Sequence, residues 1–117
     1  MKRLIALVLA AFVGLAFAQA LPFSPKPAGS VTISCTGSSG ATAVTPSDQR
    51  QLELQNAGTV TIFVEFGASG QTAAVASGYP LLAGQSKVVS IAPSVTHVAC
   101  ITGGTAATLY VTPGMGQ

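Results

Sequence analysis

Charge is what this chain has least of. Asp, Glu, Lys and Arg make up 7% of its residues, against roughly 25% in an average soluble domain. Much of the surface must therefore be Ser, Thr, Gln, Gly and Ala, and long-range electrostatics are weak. Tryptophan is absent and histidine occurs once, so imidazole chemistry has a single candidate. The helix formers Glu, Lys and Arg are scarce, while 13 Gly and 7 Pro among many Thr, Ser and Val favour strands joined by turns. A hydrophobic share of 49% excludes intrinsic disorder, and 117 residues suit one core rather than two.

The first twenty residues have another character. Met1-Lys2-Arg3 is a short basic start, Leu4 to Phe17 is an apolar run with a single Gly, and Ala18-Gln19-Ala20 has the small-x-small form of a cleavage site. This reads as a signal peptide cut after Ala20. The run falls short of the ~20 residues that span a bilayer, so no stable membrane span is expected, and no Cys follows it to accept a lipid. An apolar N-terminal segment used in assembly is the other reading. Of the five basic residues, Lys2 and Arg3 belong to this segment. Lys26, Arg50 and Lys87 then balance Asp48, Glu53 and Glu65. No basic stripe remains to follow a phosphate backbone, so no nucleic-acid partner is expected. A neutral surface does little to keep copies apart, so self-association or cover by other structural proteins is expected.

Residues 21–29 (LPFSPKPAG) hold three prolines in a short span, which blocks helix and central strand alike and marks an extended arm. Residues 30–117 show short β-type runs separated by Gly, Pro, Ser and Asn. Their spacing predicts an all-β domain, a small antiparallel β-sandwich of jelly-roll or immunoglobulin-like size with about seven strands. Alternation assigns faces: Val31, Ile33 and Cys35 inward; Leu52 and Leu54 inward with Gln51, Glu53 and Gln55 outward; Val60, Ile62, Val64 and Phe66 together; Leu109 and Val111 inward. Asn56-Ala57-Gly58 has the composition of a hairpin turn between the second and third of these runs. Pro80, Gly84 and Pro93 mark bends.

Cys35 and Cys100 both fall on inward positions. In an exported protein they form a disulfide; in a cytoplasmic one they are buried free thiols. A metal site from His97, Cys100 and Cys35 fails on parity, because residues i and i+3 of a strand face opposite sides. No metal or other cofactor is expected. Catalysis lacks a setting too. His97, Asp48 and a serine such as Ser69 or Ser77 have no nucleophile elbow around them, and Glu53 and Glu65 read as solvated outward carboxylates. Gly37 to Gly40 and Gly103-Gly104 lack the lysine of a phosphate loop. The chain reads as non-catalytic. Phe63, Tyr79 and Tyr110 are the outward aromatics that could serve an interface, or else pack at sheet edges.

Arg50 to Gly114 contains, in order, an N-x-G turn with a strand ending in F-G, then P-L-L-x-G, T-H-V-A and L-Y-V-T-P-G. In this it resembles small phage and prophage proteins that accompany the virion. The resemblance implies a β-sandwich that decorates or cements a capsid through repeated contacts. Tailed-phage particles assemble in the cytoplasm, so a cleaved export peptide conflicts with that role. The alternative is a secreted or periplasmic β-sandwich binding module, possibly prophage-encoded. The particle reading expects reduced cysteines and the exported reading an oxidised pair.

Overall fold

The computed structural model describes residues 22–46 and 50–116, so the predicted signal segment and Asp48 lie outside the described residues. Among the described residues there are nine strands: β1 (Ser24–Pro25), β2 (Val31–Cys35), β3 (Gly40–Ala43), β4 (Gln51–Asn56), β5 (Ile62–Gly67), β6 (Tyr79–Leu81), β7 (Ser86–Ser90), β8 (His97–Ile101) and β9 (Ala107–Met115). The first sheet runs β1-β9-β4-β7 with β2 also on β9, and the second runs β3-β8-β5-β6. Every pairing is antiparallel. The chain is a small antiparallel β-sandwich, as its composition predicts. Counting the eight longer strands from β2, their orders are 1-8-3-6 and 2-7-4-5, which is jelly-roll rather than immunoglobulin topology.

Alternation places the core correctly. Ile33, Cys35, Leu52, Leu54, Ile62, Val64, Leu109 and Val111 are all buried in one cluster, with Val31, Val60 and Phe66 packed against it. Each strand contributes every second residue because the pleat sends successive side chains to opposite faces.

The expected Asn56-Ala57-Gly58 hairpin is not formed. β4 pairs with β9 and β7, whereas β5 pairs with β8 and β6, so the turn is an arch that carries the chain from one sheet to the other. The cause is the Asn56 side chain, which is fully buried. Its Nδ2 donates to Val60 O at 2.8 Å and Leu81 O at 2.9 Å, and its Oδ1 accepts from Gly58 N at 2.9 Å. Its backbone N donates to Gln85 O and its carbonyl accepts from Gly84 N. A hairpin asparagine would face water; this one brackets the corner between sheets. Gly58 serves here by size, not by a positive φ, since a Cβ would stand 2.5 Å from Ala107 Cβ.

Three strands exceed the sequence reading. β3 begins at Gly40, at the end of the Gly-rich piece Gly37 to Gly40. β6 includes Pro80, which reads as a bend, and β9 runs on through Pro113 to Met115. Both prolines are tolerated for one reason. Pro113 O accepts from Lys26 N at 2.7 Å, so its hydrogen-less nitrogen points to the side where the chain between β1 and β2 has turned off the ladder. Pro80, on edge strand β6, points its nitrogen away from β5 by the same alternation. The proline-rich arm docks at this end. Ser24 and Pro25 pair with Met115 and Gly114, and a side chain on Gly114 would collide with the Phe23 ring and Ser24 O.

Candidate binding face

The two cysteines are bonded to each other, Cα to Cα 5.5 Å, across a separation of 65 residues. Cys35 sits on β2 of the first sheet and Cys100 on β8 of the second, so the bond staples the sandwich through its core. Closing a loop of that length contributes about 4 kcal/mol in the chain-entropy account. Both thiols are consumed, and His97, on the outer side of β8, has its Nδ1 2.9 Å from Thr96 Oγ1. Parity separates His97 from Cys100 as the sequence requires.

A hairpin at Asn56 would put the outward carboxylates of Glu53 and Glu65 on adjacent strands, but β4 and β5 belong to different sheets. Glu53 lies on the outer face of the first sheet and Glu65 on the outer face of the second, because the arch at Asn56 parts β4 from β5. The whole sandwich separates the two carboxylates. Ser69 and Ser77 lie in the connection 68–78.

That connection folds over the second sheet. Ala73 N donates to Ser39 Oγ at 2.7 Å beside edge strand β3, and Gly78 returns against Phe63 Cβ beside the opposite edge. Ala73 and Ala99 are buried, although Ala99 lies on an outer position of β8, opposite Glu65 and Ala41. Small residues on this face, Ala41, Ala43 and Ala99, let the covering segment approach closely. The second sheet is thus already partly covered by its own chain.

Among the described residues the first sheet is covered only at one end, where the Phe23 ring lies against Gly114 and its register partner Gln51 is buried. Its outer face carries ladder rows that can be read from the register: Thr32, Tyr110, Gln55 and Ser86 in one, and Thr112, Glu53 and Val88 in the next. Ser30 Oγ lies 2.8 Å from Thr112 Oγ1 and extends the second row. Tyr110 is 40% exposed, with the hydroxyls and amides of Thr32, Gln55 and Ser86 along its row. The arrangement offers an aromatic ring within a row of hydroxyls and amides, with the Glu53 carboxylate and Val88 in the row beside it.

The three aromatic candidates are not brought together. Phe63 faces out from the second sheet and lines a recess of about 380 Å³ with Val60, Thr61, Gly103, Gly104 and Thr105. Tyr79 is 36% exposed, as an interface aromatic should be, although its register partner is the fully buried Val64. It lies on the core side of edge strand β6, with Lys87 Nζ 5.0 Å from its ring centroid. A second recess of about 240 Å³ lies by the arm, lined by Ser24, Pro25, Lys26, Pro27, Pro46, Gly114 and Met115. Neither recess gathers a carboxylate or an imidazole.

Sequence reading also missed Arg50. It is held at φ 52°, its Nε donates to Ala92 O at 3.1 Å and its Nη2 to Val95 O at 2.6 Å, so it clamps the turn before β8. Only its charge is visible in the sequence.

No protein-family model and no curated protein matches this chain. Among solved structures, the crystal structure of PirA is similar, with a TM-score of 0.46 and 15% identity over 77% of this chain and 96% of that one. Among the described residues, no helix is long and apolar enough to cross a membrane.

Proposed function

We propose that this protein is an exported, non-catalytic binding module that meets its partner with the outer face of the first sheet. The observation that carries the reading is the Cys35–Cys100 disulfide. Such bonds persist in oxidising compartments and are rare in the cytoplasm, so the bond favours export, in line with the signal-like start. The face around Tyr110 supplies the contact surface, because an exposed aromatic gives rigid apolar area and the surrounding hydroxyls and amides satisfy a neutral polar partner.

The second reading, a decoration or cement protein of a phage particle, keeps one support in the balance of three basic and three acidic residues beyond Arg3. Jelly-roll topology serves both readings, since capsid and lectin domains share it and fold does not fix function.

Intact mass of the protein purified from its native producer, with and without reduction and thiol alkylation, separates the two. A mass matching 21–117 with no thiol alkylated before reduction supports the exported module. A full-length mass with two alkylatable thiols overturns it and favours assembly in the cytoplasm.

A further inference from the structure

The geometry points to a second copy of this chain pairing along the free edge of β2, which would join the two first sheets into one continuous sheet. The inference does not depend on what the module binds or on whether it is exported.

An edge strand exposes unpaired N–H and C=O groups, and proteins blunt such edges with proline, inward-pointing charge or short strands. Pro113 O faces β1, so Val111, Leu109 and Ala107 turn their backbone groups toward β2, and their partners Val31, Ile33 and Cys35 are spent on β9. Thr32 and Ser34 then direct N–H and C=O away from the sheet. Nothing in the local sequence blunts this row, because residues 30–45 contain no charge and no proline. On the opposite flank β6 has Pro80, and Lys87 of β7 points inward, opposite Leu54.

The strand is also self-complementary. A two-fold axis through Ile33 sets Thr32 against Ser34 of the other copy, Val31 against Cys35, and Ile33 against itself. Every outward backbone group of Thr32 and Ser34 finds a partner, small hydroxyls meet on the outer face, where such cross-strand pairs are favourable, and half-buried Val31 gains cover on the inner side. No like charges are opposed. The Tyr110 side chains of the two copies would stand on one surface, with three strand spacings of ~4.8 Å between their strands.

The test is sedimentation equilibrium on the disulfide-bonded chain as its producer makes it, beside T32K/S34K and T32K/S34E. The wild type is expected to dimerise. T32K/S34K places lysine opposite lysine across the axis and raises the dissociation constant at least ~10-fold, whereas T32K/S34E places lysine opposite glutamate and restores the dimer. A wild type that stays monomeric, a T32K/S34K protein that dimerises equally well, or a T32K/S34E protein that does not recover overturns the proposal. Hydrogen exchange on the wild type needs no substitution. The Thr32 and Ser34 amides gain protection as concentration rises while that of Val88 on β7 does not; equal behaviour at both edges also overturns it.

Discussion

One flank of the sandwich is made by β2 and β3, the other by β6 and β7, and each holds its two sheets together differently. The β2/β3 flank has no charge and no proline between residues 30 and 45, and its sheets are tied covalently by Cys35–Cys100. The β6/β7 flank uses polar contacts: the Asn56 bracket reaching Leu81 O and Gln85 O, and Lys87 over Tyr79. A covalent tie needs no polar side chain at the surface, so that flank can remain an uncharged edge. Polar ties need charge and amide groups, and the same groups discourage strand addition.

Removing the covalent tie should have the largest effect. C35A/C100A loses about 4 kcal/mol from the loop it opens, a large part of the roughly 5–15 kcal/mol of a small domain. Urea unfolding of the oxidised wild type against the variant measures it directly. A loss below about 1 kcal/mol would mean that the β2/β3 flank closes by packing alone.

On the other flank, Asn56→Ala should cost about 3 kcal/mol, because the Val60 and Leu81 carbonyls and the Gly58 amide lose their shared partner inside the corner. Asn56→Asp replaces donor by acceptor and should be no better, since it faces two carbonyls. Gly58→Ala comes next at about 2 kcal/mol, from the 2.5 Å approach to Ala107 Cβ. Equal urea midpoints for Asn56→Ala and wild type would remove the bracket from the account.

The error at this corner shows what alternation can and cannot read. Leu52, Leu54, Ile62 and Val64 were assigned inward correctly, because a strand's inner face is the same whether the next turn is a hairpin or an arch. The partner strand is not encoded in parity, and N-x-G suits both turns. Burial of Asn56 decides between them, and burial depends on Leu81 and Gln85, far along the chain. The Glu53 and Glu65 misplacement follows from the same corner. The exposure of Tyr79 is legible, but its side of the strand is not, because Pro80 reads as a bend and hides the short strand β6 from alternation. Of the candidate face, Tyr110 and its alternation were legible. That β9 lies between β2 and β4, bringing Thr32 and Gln55 to either side of Tyr110, rests on long-range pairing.

The smallest expected stability change tests whether the guarded flank is guarded by Lys87. Lys87 and Tyr79 both occupy core-side positions at edges, so the ammonium bridges the mouth between sheets. Lys87→Val should cost only about 0.5 kcal/mol, the scale of an exposed cation–π contact. Its effect on association should be larger. The backbone groups of Ser86, Val88 and Ser90 point away from β4 by the alternation that directs Asn56 N to Gln85 O, so β7 has the same free groups as β2. Only the inward charge, which a pairing strand would have to desolvate, separates the edges. In the T32K/S34K background, where the β2 edge is blocked, adding Lys87→Val should therefore create concentration-dependent association detectable by sedimentation. A protein that stays monomeric would show that a lysine pointing into the mouth does not close an edge, and that β2 and β7 differ in shape rather than in charge.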